Sequence, residues 1–149
     1  MLFSGAGTRT WGAAVAALGA SAALALPPPS ECPQPRFTGQ APPDQYERRN
    51  PLPEGVDTRP AERIFRGDGR KVSCATCHGE KGDGRGPMAS QFSPPPRNFR
   101  CAQTVDGIPD GQIFWIIRNG SPGTSMPPHP QMSDDEAWRM VRYLRQLSR

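Results

Sequence analysis

Long hydrophobic runs are scarce in this sequence. The N-terminal run WGAAVAALGASAALAL covers residues 11–26, which is 16 residues, whereas a membrane-spanning helix needs about 20. A single basic residue, Arg9, precedes the run, and three prolines follow it. A basic start, a short apolar segment and small residues near its end are typical of a secretory signal. We therefore predict a signal peptide over residues 1–26, cleaved after Ala22 or Ala25, with an uncleaved N-terminal anchor as the alternative.

A strong net charge is also missing. The formal net charge is +4 at pH 7, and Lys71 and Lys81 are the only lysines. So mild a positive charge does not indicate a nucleic-acid-binding protein, and we expect no nucleic-acid partner. Cysteine is limited to four residues. In the exported, periplasmic protein that the signal predicts, thiols tend to form disulfides unless they are otherwise bound.

Proline limits regular structure near the N-terminus. Ten of the 19 prolines lie between Pro27 and Pro60, and proline breaks helix interiors and central strands. We predict a Pro-rich extended arm over residues 27–57. Two interpretations stay open: a polyproline-like linker, or an arm laid over the domain and held by Cys32, Phe37 and Tyr46.

Residues 58–149 are predicted to form a small all-α domain without internal repeats. Its first helix is expected to begin at Thr58, a favourable N-cap. The apolar face of that helix contains Ala61, Ile64 and Phe65. A further short helix is expected in PDGQIFWIIRNG, residues 109–120, with Asp110 as its cap and Asn119-Gly120 as its stop. A short strand is the alternative there, because IFWII is rich in β-branched and aromatic residues.

The last helix has the clearest pattern. Ser133 and Glu136 have the spacing of a capping box, and arginines gather toward the other end. Its buried stripe contains Trp138, Val141 and Leu144. A domain of this size with few large apolar side chains is marginally stable unless something else fills its core.

The stretch SCATCHGEKGDG contains Cys74, Cys77 and His78. The Cys-x-x-Cys-His pattern is typical of c-type haem attachment. Two cysteines three residues apart can each form a thioether with one porphyrin, and the next residue can direct an imidazole nitrogen at the iron. A haem would also fill the sparse core.

Three rival interpretations of this stretch fit the sequence less well. A structural zinc ion needs four ligands, and the remaining candidates, Cys32, Cys101 and His129, are scattered in the sequence. A thioredoxin-like dithiol requires a βαβ scaffold, which the pattern does not predict. A plain disulfide between Cys74 and Cys77 is the third.

A second axial ligand for the iron is expected among the methionines and His129. Met126 is the leading candidate, because the surrounding prolines and glycines in GSPGTSMPPHP stiffen a loop that can reach across the haem. Met140 lies in the last helix, where a core position is expected. Met88, Met132 and His129 complete the set of candidates.

Together, CATCHG, the Gly-rich loop after it, Met126-Pro127 and the last helix resemble the class I monohaem cytochromes c of bacterial periplasmic type, over about residues 60–147. The resemblance implies a small cytochrome c fold whose N- and C-terminal helices cross around one covalent haem c. It implies His78 and Met126 as axial ligands, and it matches Pro87 to the proline whose carbonyl accepts the other ring proton of the ligand histidine.

The same resemblance makes Arg97 and Trp115 candidates for the haem propionates. Cys32 and Cys101 are extra to the family pattern. If the other two cysteines hold haem, this pair is expected to form a disulfide that closes a loop of about 70 residues.

The function expected from these residues is that of a periplasmic one-electron carrier, not an enzyme, with redox proteins as partners and no small-molecule substrate. The alternative is a haem c subunit docked permanently on a larger oxidoreductase or oxidase, including a membrane-bound complex. A haem-based gas sensor and a disulfide-stapled structural module fit less of the sequence.

Overall fold

Helices and loops make up the chain wherever the structure describes it. The computed structural model describes residue 1 and residues 32–34, 38–69 and 73–149, and these ranges contain no β-strand. The helices are α1 Pro43–Tyr46, α2 Arg59–Arg66, α3 Ala75–His78, α4 Ala102–Val105, α5 Asp110–Asn119 and α6 Asp134–Leu147, with a 3₁₀ turn at Ala89–Gln91. The all-α prediction is confirmed. Among the described residues, no helix combines the length and hydrophobicity that crossing a membrane requires.

Two of the sequence predictions concern residues outside the described ranges. Apart from Met1, the predicted signal peptide lies outside the described residues, and so does Phe37 of the arm. The domain boundaries at 26 and 57 stay predictions.

Helices α2 and α6 cross at the centre of the domain. The Phe65 ring meets Tyr143 edge-on, with 5.4 Å between centroids and 63° between planes. Ala61, Ile64 and Phe65 are buried as predicted. Helices α2 and α6, the first and last helices of the domain at residues 58–149, therefore pack against each other as the family resemblance implied.

The N-terminus of α2 is capped differently from the prediction. Thr58 occupies the N-cap position, but its hydroxyl donates to Oε1 of Gln146 at 2.8 Å. The N–H of Arg59 instead donates to Oδ1 of Asp57 at 3.0 Å. The Thr58 hydroxyl bonds to α6 rather than to its own helix, because the Gln146 side chain lies within hydrogen-bond distance. The Asp57 carboxylate accepts instead from one of the N–H groups that have no partner within the first turn of α2.

Side-chain caps were also predicted at the N-termini of α5 and α6. Ser133 and Glu136 form the predicted capping box, with the Glu136 N–H donating to Ser133 Oγ at 3.2 Å. In α5, the N-cap is Pro109, and Asp110 is the first helical residue. The Asp110 carboxylate accepts from Arg145 of α6, so the prediction of a capping role for Asp110 was wrong.

The described part of the Pro-rich arm, residues 32–34 and 38–57, lies over the domain, as one of the two interpretations predicted. The Cα atoms of Cys32 and Cys101 are 5.4 Å apart and their sulfurs are bonded. Farther along, Asn50 Nδ2 donates to the Trp138 carbonyl at 3.0 Å, and Arg142 Nε donates to the Leu52 carbonyl at 3.2 Å.

The arm also holds one helical turn, α1, where no regular helix was expected. Its two prolines stand at Pro42 and Pro43, where the turn begins and no intrahelical N–H is needed. Gly111 of α5 lies beneath it, and a Cβ there would come 2.7 Å from the Tyr46 carbonyl oxygen. Glycine at this position lets α1 and α5 approach closely.

Candidate functional site

Helix α3 and the loop after it form a compact unit. Cys74 is the N-cap of α3, and His78 is its last residue. The N–H groups of Gly84 and Gly86 donate to the carbonyls of His78 and Cys77 at 2.8 and 3.1 Å. A Cβ on Gly86 would come 2.6 Å from the Ala75 carbonyl oxygen, so this close return of the chain requires glycine.

The Cys74 and Cys77 thiols are free and not bonded to each other, which contradicts the interpretation as a plain disulfide. Burial raises the pKa of Cys74 to about 11 and also raises the pKa of Cys77. A redox dithiol depends on a thiolate of lowered pKa, so this burial does not favour that interpretation. Cys101, a further zinc-ligand candidate, is bonded to Cys32.

The His78 ring is held in one orientation. It is 9% exposed, and its Nδ1 lies 3.0 Å from the carbonyl oxygen of Arg97. Because a carbonyl oxygen only accepts, Nδ1 carries the proton, and in the neutral ring the lone pair that can bind a metal is then on Nε2. The Phe99 ring stacks on the imidazole with 4.5 Å between centroids.

The carbonyl beside Nδ1 was predicted to belong to Pro87, and this is corrected to Arg97. Pro87 is exposed, and the chain continues past it into the 3₁₀ turn before it returns. Pro94, Pro95 and Pro96 all line the cavity beside His78. That proline run carries the backbone back to the imidazole one residue later, at Arg97.

A cavity of about 320 Å³ opens beside these residues. Its walls are mostly apolar and come from α3, α5, α6 and the loop after α5. Several of the lining side chains also belong to the buried core, namely Phe65, Ile113, Ile117, Met132, Met140 and Leu144. One side of the core therefore packs protein against protein, and the other side faces the cavity.

All the predicted candidates for a second ligand line this cavity: Met88, Met126, Met132, Met140 and His129. They differ in how they are held. Met132 and Met140 are each 2% exposed within the core cluster, so both are packing residues. Met126 is half-buried on the loop after α5, where its carbonyl accepts from Ser121 N–H at 3.1 Å and its own N–H donates to Thr124 Oγ1 at 3.2 Å.

The two propionate candidates are placed differently. Arg97 lines the cavity, and burial lowers the pKa of its guanidinium. Trp115 is half-buried on α5, and the cavity wall in the described chain does not include it. The structure thus brings Arg97 to the site and leaves Trp115 away from it.

Several cavity residues were not predicted, among them Phe99 and Thr38. Phe99, which stacks on His78, follows a run of prolines and carries no periodic signal in the sequence. Thr38 belongs to the arm and still lines the cavity. Both residues reach the cavity through contacts between segments that are far apart in the sequence, so no local pattern could have identified them.

The residues present fit a c-type haem. They combine two free thiols on one helical turn, an imidazole whose Nδ1 is hydrogen-bonded to the Arg97 carbonyl, and apolar walls. A thioether-linked porphyrin with a histidine ligand needs those groups.

Comparisons with known proteins agree with this fit. The family model described as "Cytochrome C oxidase, cbb3-type, subunit III" matches residues 57–144. A solved structure, a reducing HAO-like protein complex of Kuenenia stuttgartiensis, is similar with 25% identity and a TM-score of 0.51 over 66% of this chain. The chain spans 50% of that solved chain. No curated protein matches the sequence. The chain belongs to this cytochrome family, as a monohaem c-type domain that binds haem c covalently.

Proposed function

We propose that this protein is an exported one-electron carrier in which His78 and Met126 are the axial ligands of one haem c. The observation that carries the proposal is that Met126 lines the same cavity as Cys74, Cys77 and His78. When bound, haem c supplies a one-electron couple at its iron. With His78 and Met126 both bound to the iron, no coordination position would stay open for a small-molecule substrate.

Different residues of the chain have different roles in binding the cofactor. Cys74 and Cys77 would hold the cofactor through thioethers, and His78 would bind the iron through Nε2 because the Arg97 carbonyl keeps the ring proton on Nδ1. Met126 offers its thioether sulfur from a loop that Ser121 and Thr124 hold in shape. A thioether ligand raises the reduction potential relative to a second histidine.

The absorption spectrum of the exported protein tests this assignment. We expect a haem that stays attached after denaturation, and a weak band at the red end of the oxidised spectrum that reports the methionine–iron bond. Met126→Ala should abolish that band. Met88→Ala, which truncates another methionine of the cavity, is the matched control and should preserve it. A band that survives Met126→Ala would reject Met126 as the ligand.

Export is part of the proposal. The support is the N-terminal run at residues 11–26 and the Cys32–Cys101 bond, since disulfides persist mainly in oxidising compartments. Mass measurement of the mature protein should show that residues 1–22 or 1–25 have been removed. A full-length mass from the periplasm would instead indicate an uncleaved anchor.

A second candidate is a haem c subunit docked on a larger complex. Two observations favour it: the family description names a subunit of an oxidase, and the similar solved structure is a complex. The size of the native protein, extracted from both the soluble and the membrane fraction, separates the candidates. A stable hetero-complex supports the subunit, whereas a monomer supports the free carrier.

A further inference from the structure

One peptide group connects the Pro-rich arm to His78. The carbonyl oxygen of Arg97 lies 3.0 Å from His78 Nδ1. The N–H of Asn98 belongs to the same peptide group and donates to Oε1 of Gln34 at 2.7 Å. The imidazole, the peptide and the Gln34 amide therefore form a continuous chain of hydrogen bonds.

Gln34 is held firmly at its end of this chain. The residue is 6% exposed, and its backbone N–H donates to Thr104 Oγ1 at 2.9 Å. Its Nε2 lies 3.5 Å from the Pro96 carbonyl. Two residues earlier, Cys32 is bonded to Cys101. These contacts direct the Gln34 carbonyl oxygen at Asn98.

The order of donors and acceptors gives the chain a direction. Each bond in a buried hydrogen-bond chain polarises the next, because the local dielectric is low. An acceptor on the Asn98 N–H makes the Arg97 carbonyl oxygen more negative, and this strengthens its bond to the His78 proton. A stronger acceptor at Nδ1 makes the imidazole a more basic ligand.

We propose that Gln34 is a positioning residue for His78, which acts through the Arg97–Asn98 peptide and lowers the reduction potential of the haem. The arm that carries Gln34 lies outside residues 57–144 matched by the family model. A segment added to the family's domain thus tunes the family's cofactor. The inference rests on the proposed role of His78 as an axial ligand.

Substitutions at Gln34 in the haem-loaded protein test the proposal. Gln34→Leu removes the acceptor, so the oxidised state loses stabilisation and the midpoint potential rises. We expect about a threefold change in the ratio of reduced to oxidised protein at a fixed applied potential, which is about 28 mV at 59 mV per tenfold for one electron. Gln34→Glu at mildly alkaline pH supplies a charged acceptor and should lower the potential.

The control is Asn50→Leu, because Asn50 is another amide of the arm and bonds the Trp138 carbonyl instead. It should leave the potential unchanged even if it lowers stability. A readout independent of the potential is amide hydrogen exchange at Asn98, which should accelerate in Gln34→Leu and not in Asn50→Leu.

The opposite signs expected for the two Gln34 variants separate tuning from simple loosening. The proposal is overturned if both variants shift the potential in the same direction, or if neither exceeds the Asn50→Leu control. If instead the proposed haem ligation by His78 is wrong, a different result is expected. If His78→Ala keeps the six-coordinate spectrum of the parent, His78 is not the ligand, whatever the Gln34 variants do.

Discussion

Arg145 near the end of α6 binds Asp110, the first residue of α5. Arg145 Nη2 and Nε lie 2.8 and 2.9 Å from Asp110 Oδ1. The two side chains are 17% and 22% exposed. The guanidinium also donates to the carbonyls of Val105 and Ile108. One cation therefore ties the last helix to the start of α5 and to the turn before it.

The first prediction concerns this ion pair. Arg145→Met should reduce the free energy of unfolding by about 3 kcal/mol, because it leaves a shielded carboxylate and two carbonyls without their donor. Urea denaturation measures the change. Arg139→Met is the control, since Arg139 pairs with the exposed Asp135 one turn away, and a much smaller loss is expected there. Equal losses would mean that the Arg145 contacts add little.

The second prediction concerns the return of the chain to α3. Gly86→Ala should destabilise the haem-loaded protein by about 2 kcal/mol, because a Cβ would overlap backbone atoms that cannot yield. Gly107→Ala is matched to it, since a Cβ at Gly107 meets nothing within 4 Å. Thermal unfolding followed by circular dichroism should separate the two variants. A Gly86→Ala protein as stable as Gly107→Ala would contradict the close packing described.

The third prediction concerns the arm disulfide. Under non-reducing conditions the exported protein should be two hydrogens lighter than its reduced form. Replacing both Cys32 and Cys101 with serine should reduce the free energy of unfolding by about 4 kcal/mol, as the chain-entropy relation gives for a loop of this length, given the sequence separation of 69. Two thiols that react with an alkylating reagent in the native exported protein would reject the bond.

The fourth prediction concerns pH. The Arg59 side chain and its backbone N–H lower the pKa of Asp57 from 3.8 to about 2. A lowered folded-state pKa contributes stability above the ordinary value, and that contribution is lost as the pH falls toward 2. The melting temperature of the parent should thus drop more steeply below about pH 4 than that of Asp57→Asn.

The measurement is the difference between the two melting curves across the acid range. Asp106→Asn, at an exposed position after α4, gives the background for loss of one carboxylate. If the melting temperatures of Asp57→Asn and the parent change in parallel across the acid range, the Asp57 carboxylate does not stabilise the folded protein through Arg59.

Local sequence patterns predicted much of this protein. The capping box at Ser133, the apolar face of α2 and the Cys-x-x-Cys-His motif depend on residues within a few positions of one another. Their outcome therefore follows from helical periodicity and from the chemistry of each side chain. The same patterns placed Thr58 correctly at the N-cap position of α2 but did not predict that its side chain accepts from none of the helix N–H groups, and they wrongly made Asp110 the cap of α5. Both side chains bond to partners on α6 instead.

The sequence by itself determined the helical class and the Cys-x-x-Cys-His motif of a c-type haem domain. The tertiary structure decided which carbonyl holds His78, where the arm lies and which side chains face the cavity. Those outcomes depend on contacts between residues far apart in the chain, such as Gln34 with Asn98 and Cys32 with Cys101. Local propensity carries no information on such contacts, because they form only when the whole core packs.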